Sequence, residues 1–336
     1  MKLKNTLGII AAFLYVFGVI AANAQSPAYR ISTPHTHKNL TIFLIHGKNE
    51  TSKTNIITLP EALERKLFRV YETSDVNELT VENISKEFDV FIQSGDIVKG
   101  GKQDRVLAIS IIIPARSGRV SIEAFCVESG RWEKRKSEDA SQFSSSNERI
   151  VTKDLKLAAN GARSQSEVWA KVAEAQKSLS DNVGAPVRSE TSSTSLQLSL
   201  ENGKVSANAD EYVRALSNAV ADKTDVIGYA FAVNGQLNSA DIYVSNALFK
   251  KLWPRMLKAA AVEAVAASRG VRVADGVKAG DVKSFLADAD KGHAKERSVT
   301  GNASIVTREE NDNVVFEARD DKSKLIVHRN YVKKNP

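Results

Sequence analysis

The segment Asp225–Val244, DVIGYAFAVNGQLNSADIYV, decides the fold because it predicts a β-hairpin beside a long helix. Two runs of β-branched and aromatic residues flank Asn234–Gly235, a pair that favours the positive φ angles of a tight turn. The next segment, Ser245–Ser268, has apolar residues at helical spacing behind a serine that can cap a helix. Pro254 lies inside that segment and predicts either a kink or two separate helices.

The part of the chain before this hairpin is β-rich. One short helix is predicted after Thr58, with Pro60 in its first turn. The other segments are short β-rich runs, at a spacing typical of a sandwich or barrel and too close for the crossover helices of a parallel sheet. The predicted strands are Leu40–His46, Phe68–Glu72, Glu78–Asn83, Asp89–Gln93, Arg105–Pro114 and Gly118–Glu128.

Helices are predicted again in the second half. Ser164 and Glu167 have the spacing of a capping box before one amphipathic segment, and a second segment covers Asp210–Val220. Between them STSLQLSL (193–200) alternates with period two and predicts a strand. The tail, Glu296–Val332, predicts a three-stranded meander with turns near Asn311–Asn313 and Asp320–Ser323.

These elements indicate an α+β protein with a β-rich N-terminal part, sandwich or barrel-like, and a C-terminal helix-bearing part that is built on the hairpin and ends in the meander. The β-rich part covers residues 25–136, and the α+β part covers residues 166–336. Residues 137–165 are polar and serine-rich, which predicts a linker or a long surface loop. Whether the two parts share one core stays open at this level.

Residues 1–24 have the pattern of a secretory signal peptide. Lys2 and Lys4 precede an uncharged apolar run, and Ala22-Asn23-Ala24 places small residues where a signal peptidase cleaves, before Gln25. The alternative is a membrane anchor, but the apolar run is short for a bilayer span. We therefore expect an exported protein, periplasmic or secreted, with no stable membrane span after cleavage.

Composition excludes several other classes. Loss of Lys2 and Lys4 lowers the formal charge from +7 to +5, and the excess is spread along the chain rather than gathered in the basic stripe of a nucleic-acid-binding protein. Cys126 is the single cysteine and lies in an apolar strand, so we expect a buried, inert thiol. The chain has no H-E-x-x-H and no cysteine pair, and His35 and His37 by themselves are a weak metal pattern, so we expect neither a metal nor a cofactor.

The segment KGGKQDRV (99–106) resembles a phosphate-binding loop but departs from its pattern. Gly95 and Gly100 have the correct interval, yet Gly101 stands where the lysine belongs. Lys102 comes one position late, and it is followed by Gln103 instead of the Mg²⁺-binding hydroxyl residue. A β-branched run follows, so there is no helix N-terminus to receive a phosphate. We therefore expect no nucleotide-binding loop of this type.

Two polar segments instead lie at the ends of two predicted strands. If those strands pair about the turn PARSG (114–118), the start of the first lies beside the end of the second, and both sets of side chains meet at one end of the sheet. Arginine and lysine suit an anion, glycines allow close approach, and tryptophan offers a stacking face. The alternative is a structural cluster in which acids neutralise the arginines. The predicted ligand-binding residues are Gly100, Gly101, Lys102, Gln103, Arg105, Arg131 and Trp132, and Glu128 is the candidate general acid or base.

The same segments resemble a catalogued family. GGKQDRVL, Pro114 and CVESGRW are similar to the core motif of the ARG-and-rhodanese-phosphatase-superfamily-associated protein domain family, a domain of unknown function. Ile227–Ala264 resembles a second segment of that family, and Asp104 stands where the family pattern has asparagine, which adds a negative charge. The name implies an association with ADP-ribosylglycohydrolases and phosphatase-like proteins, without a demonstrated activity.

The leading functional hypothesis is therefore an exported protein of unassigned activity that binds a small anionic or polar ligand at this composite site. One alternative is an enzyme that acts on a phosphorylated or ADP-ribosyl-type substrate. Another is a non-catalytic structural or interaction module of the cell envelope, whose protein partner the sequence does not identify.

Overall fold

A computed structural model describes residues 29–51, 55–73, 75–131, 143–149, 152–270 and 276–334. The predicted signal peptide and Trp132 lie outside these residues. In chain order the first strands and the first helix are β1 (Arg30–Ile31), β2 (His35–His37), β3 (Leu40–His46), β4 (Ile56–Thr58), α1 (Leu59–Glu64), β5 (Phe68–Glu72), β6 (Glu78–Asn83), β7 (Asp89–Ile92), β8 (Asp96–Gly100), β9 (Arg105–Leu107), β10 (Ile111–Ile113), β11 (Arg119–Cys126) and β12 (Phe143–Arg149).

The second half contains most of the helices. Its elements are α2 (Lys153–Leu157), a π-helical turn (Ala158–Ala162), α3 (Gln165–Val183), α4 (Leu196–Leu200), α5 (Gly203–Leu216), a 3₁₀ turn (Ser217–Val220), β13 (Val226–Val233), β14 (Gln236–Tyr243), α6 (Asn246–Ala266), α7 (Ala279–Lys291), β15 (His293–Thr300), β16 (Ala303–Glu310), β17 (Asn313–Asp320) and β18 (Leu325–Lys333). The α+β class is confirmed.

The predicted hairpin is the centre of the largest sheet. Val233 pairs with Gln236, and Asn234 and Gly235 have φ angles of 55° and 80°. Within the described residues this sheet has nine strands, in the order β1-β3-β13-β14-β18-β17-β16-β15, with β2 paired to β3. It therefore joins strands from the N-terminal residues to the hairpin and to the C-terminal meander.

Apolar residues cover both faces of this sheet. On one face the hairpin strands pack against α6, which buries twelve residues, including Phe249, Trp253 and Leu257. On the other face α7 buries Val282, Phe285 and Leu286 in a second cluster. Because α6 is packed along most of its length, it continues as one helix through Pro254. Of the two predicted alternatives, the division into two helices is therefore wrong.

The N-terminal strands form two smaller sheets. The order β12-β8-β9-β11-β6-β5 forms a sheet of six strands among the described residues, curled into a nearly closed barrel, and β10-β7-β4 forms a sheet of three. The predicted bounds of β5 and β6 match the structure. The expected α1 is also present, with Thr58 and Glu61 in a capping box.

Three predicted segments have a different structure. STSLQLSL contains helix α4, because the Ser195 hydroxyl accepts from the Leu198 amide and caps it. The meander has four strands, since a turn at Gly301–Asn302 divides the first. Within the polar stretch 137–165 the structure has β12, α2 and the π-helical turn. The polar sequence of β12 does not indicate a buried strand. The strand can be buried because its charged residues are paired, Arg149 with Asp96 and Glu148 with Lys258.

The predicted hairpin around PARSG is also wrong in its middle. The first run divides into β9 and β10, and β10 pairs with β7 in the three-stranded sheet. Strand β11 pairs with β6 along its first half and with β9 only at its end. The chain leaves the sheet at Ala108–Ser110. There the Ser94 amide donates to the side-chain hydroxyl of Ser110 and not to a backbone carbonyl of a neighbouring strand.

Candidate functional site

The two polar segments meet as the sequence predicts. Arg105 at the start of β9 lies opposite Cys126 at the end of β11, and the Val127 amide donates to the Asp104 carbonyl at 3.1 Å. Only three residue pairs of β9 and β11 are needed for this meeting, so the site forms although the long hairpin does not.

Arg105 is fully buried at this meeting point. Its guanidinium donates to the Glu72 carboxylate at 2.9 Å and to the carbonyls of Asp75 and Val76 at 3.2 and 2.7 Å. These partners belong to β5 and to the turn that follows it. Arg105 therefore ties the β5–β6 turn to β9, which is a structural role.

Arg131 lies nearer the surface, between two buried acids. Its Nη2 is 2.7 Å from Glu128 Oε2 and 4.0 Å from Asp104 Oδ1, and both carboxylates are fully buried. The Gln103 amide supports the same loop by donating to the Glu128 carbonyl at 2.9 Å. The Gln103 Oε1 has no hydrogen-bond partner in the part of the chain described. The candidate acid Glu128 is thus held by Arg131.

The glycines and the lysine occupy the loop between β8 and β9. Gly100 and Gly101 have φ angles of 122° and 57°. A Cβ on Gly101 would lie 2.3 Å from the Phe143 ring, so this glycine allows close packing against β12. The Lys102 amide donates to Glu72 at 3.3 Å, and its side chain is half-buried.

Several residues that sequence reasoning missed complete the site. Glu72 is the partner of Arg105, and the Ser195 hydroxyl, the cap of α4, lies 3.4 Å from Asp104 Oδ2. The Gln165 side chain binds the amide and the carbonyl of Cys126, both at 2.8 Å, and so attaches the start of α3 to the end of β11. The one feature of the sequence that could have pointed to Gln165 is its position directly after the predicted helix cap Ser164.

An open groove of about 700 Å³ lies beside Arg131. We call it the hydroxyl groove. Its remaining walls are Ser129, Gly130 and the segment Glu190–Thr194, and the Thr194 hydroxyl joins the two sides by donating to the Ser129 carbonyl at 2.7 Å. Hydroxyl groups, a guanidinium and loop backbone are the groups that bind small polar molecules.

Cys126 is buried at the base of this site. Burial raises the pKa of its thiol to about 11, because removal from water disfavours the charged thiolate. The nucleophile is the thiolate, so Cys126 is not a nucleophile in this state. The expected burial of the thiol is confirmed, and its lack of reactivity stays a prediction.

A second polar cluster escaped the sequence analysis because its members are far apart in the chain. Ser110 Oγ lies 2.8 Å from His328 Nδ1, and His328 Nε2 lies 2.9 Å from Asp241 Oδ1. All three residues are buried, so Ser110 has no access to a substrate. The cluster joins β14 and β18 to the segment before β10 and is a structural tie.

No group of three or more histidines, cysteines, aspartates and glutamates that could hold a metal ion is present among the described residues. None of the helices in the described ranges is long and apolar enough to span a membrane.

The fold and the site define an α+β protein in which a barrel-like sheet presents an acid–arginine cluster beside a nine-stranded sheet, counted over the described residues. The chain belongs to the ARG and Rhodanese-Phosphatase-superfamily-associated Protein domain family, whose pattern matches residues 28–334. The resemblance seen in the two motifs is therefore confirmed over nearly the whole chain. No curated protein and no solved structure matches it.

Proposed function

We propose that this protein binds a small polar or anionic ligand in the hydroxyl groove. The observation that supports this most is the position of Arg131, which bridges two buried carboxylates and also forms a wall of an open groove. A guanidinium held in this way keeps its orientation, so a ligand does not have to order it on binding.

The charges favour a hydroxylated or singly charged ligand over a polyanion. Around the groove the three cations Lys102, Arg105 and Arg131 are outnumbered by four acids: Glu72, Asp104, Glu128 and the groove-lining Glu190. A ligand with several negative charges would meet a cluster without net positive charge, whereas hydroxyl groups can bind the Arg131 guanidinium and the serine and threonine side chains of the groove.

The test is the melting temperature of the protein with inorganic phosphate, ribose and ADP-ribose, because a ligand that binds only the folded state raises it. Arg131 is unsuitable as the tested position, since its removal would leave the buried carboxylate of Glu128 without its partner and destabilise the fold. We instead replace the exposed groove residue Ser193 by tryptophan, which fills the groove, and compare Ser298→Trp on exposed β15 as the matched control.

A stabilising ligand should lose its effect with Ser193→Trp and keep it with Ser298→Trp. Equal stabilisation of both variants would place the ligand elsewhere. No stabilisation by any member of the series would favour the third hypothesis, a non-catalytic structural or interaction module.

An enzyme that acts on a phosphorylated or ADP-ribosyl-type substrate is the second candidate. It is favoured by the two carboxylates, Asp104 and Glu128, that lie next to one arginine, because a carboxyl group can serve as a general acid or base. In that case Glu128 exchanges Arg131 for the substrate during the reaction. Turnover that Glu128→Gln abolishes without a lower melting temperature would support it.

Export completes the proposal. The apolar start of the chain and the Ala22-Asn23-Ala24 site support cleavage before Gln25. N-terminal sequencing of the protein isolated from its source tests this, and an intact Met1 would contradict it.

A further inference from the structure

A second groove lies beside the start of α3, which contributes Glu167 and Lys171 to its lining. It has a volume of about 950 Å³ and runs between the α2–π-helical segment and the open face of β15–β17. We call it the sheet groove. Its floor is apolar, formed by Leu157, Ile305, Val314 and Phe316. Leu157 and Ile305 are half-buried. Leu157, Val314 and Phe316 belong to a small cluster separate from the two main cores, while Ile305 packs against the edge of the larger core.

The segment that covers the apolar floor is short, and it leaves Leu157 and Ile305 partly exposed. On the other face of these strands, the 13-residue helix α7 buries the sheet. On the groove face the cover is the five-residue α2 and the π-helical turn, a type of turn that is frequent at functional sites. Gly161 lies in this turn, and a Cβ there would meet only the Phe316 ring, at 3.8 Å.

One end of the sheet groove has an excess of guanidinium groups. Arg297 on β15 binds the Glu123 carboxylate with two bonds of 3.0 Å, and Arg163, at the end of the π-helical turn, binds an oxygen of the same carboxylate. Both arginines line the groove. One carboxylate thus serves two guanidiniums, and each guanidinium has further N–H donors. Lys295 adds a third positive charge two residues before Arg297 on the same strand face.

The strand register places this charged end beside the apolar floor. Arg297 pairs with Ile305 across β15 and β16, and Thr307 pairs with Phe316 across β16 and β17. These two rows are two residues apart, or roughly 7 Å along the strands. A carboxylate bound at the arginines would therefore have apolar surface within the length of a short alkyl chain.

Most acids of the groove have a basic neighbour of their own. Glu309 pairs with Lys334, while Asp154 and Glu167 lie on the helical side with Lys171. Glu296 is the remaining acid of the strand side and alternates with Lys295 and Arg297 along β15.

We propose that the sheet groove is a binding site for a small amphipathic carboxylate, with its carboxylate at Arg163 and Arg297 and its alkyl or aromatic body over Ile305 and Phe316. The hydroxyl groove plays no part in this site. The two proposals stand or fall separately, because their lining residues do not overlap.

Calorimetric titration of the protein with decanoate, below its micelle concentration, tests the site, and decanol is the uncharged control ligand. Gly161→Leu should fill the groove and abolish binding of both, whereas Gly161→Ala should bind as the unchanged protein does. Arg163→Gln should weaken decanoate about tenfold through loss of a charged hydrogen bond and leave decanol unchanged. Lys177→Gln on exposed α3 is the charge control and should change neither.

The circular dichroism spectrum and melting temperature of each variant establish that it is folded. Absence of decanoate binding to the unchanged protein overturns the proposal. So does full binding by folded Gly161→Leu, or an equal loss with Arg163→Gln and Lys177→Gln. Binding of decanoate and decanol with equal affinity overturns the assignment of the carboxylate to the arginines.

Discussion

Replacing Arg105 by methionine tests whether this arginine has a structural role or binds a ligand. The guanidinium has no exposed surface and makes three bonds, to the Glu72 carboxylate and to the carbonyls of Asp75 and Val76. Methionine keeps the volume of the alkyl chain but leaves the buried carboxylate without its arginine. Removing one partner of a buried ion pair costs about 3–5 kcal/mol in the free energy of unfolding.

Urea unfolding followed by circular dichroism measures this loss. For a slope of about 3 kcal/mol per molar urea, the midpoint should fall by about 1–1.7 M. Arg119→Met on the neighbouring strand is the control, since Arg119 is exposed and lies over the Tyr71 ring at 4.5 Å, a contact that is weak at an exposed site.

A double-mutant cycle identifies the partner. If the Arg105–Glu72 pair carries the loss, Arg105→Met should cost much less in a protein that already contains Glu72→Met. The reasoning is refuted if Arg105→Met lowers the midpoint no more than Arg119→Met does. A normal midpoint with lost ligand binding would instead make Arg105 part of the ligand site.

Three other predictions follow from burial and backbone geometry. Cys126, with a thiol pKa of about 11, should not react with a disulfide reagent at pH 8 in the folded protein and should react at once in denaturant. Burial would raise the pKa of Asp241, but the hydrogen bond and charge of His328 outweigh it and leave this pKa below its usual value. The resulting stabilisation is complete above about pH 4 and is lost as the pH falls through the lower folded-state pKa. The free energy of unfolding of Asp241→Asn should therefore fall less steeply as the pH is lowered below about 4. An unchanged pH dependence would contradict this. Gly101→Ala should cost clearly more in urea unfolding than Gly118→Ala, because both have positive φ but only the first meets an aromatic ring; equal costs would show that the ring moves aside.

The start of α3 connects the two candidate sites. Gln165 binds both backbone groups of Cys126 beneath the acid–arginine cluster, while Arg163 and Glu167 face the sheet groove. Gln165, which supports the acid–arginine cluster, is thus only two positions in the chain from Arg163, which lines the sheet groove. A displacement of this helix end would change both sites.

Local chemistry made part of the fold predictable. Asn234–Gly235 specified the central turn, Thr58 and Ser164 specified helix starts, and β-branched residues specified β5 and β6. Errors occurred where a tertiary contact outweighed the local pattern. The alternation in STSLQLSL predicts a strand, but the Ser195 cap and its burial against Asp104 favour a helix turn.

The candidate site likewise has features that local sequence predicts and features that depend on tertiary contacts. The sequence by itself determined the family, the central hairpin and the meeting of the GGKQDR and ESGRW segments, because strand pattern and turn residues act over short distances. Only the tertiary structure decided that Arg105 is bound by Glu72, that Arg131 is held between two buried acids, and that a separate apolar groove opens beneath a π-helical turn. Those features depend on contacts between residues far apart in the chain, and the burial that makes such charges and cavities matter exists only after the sheets have packed.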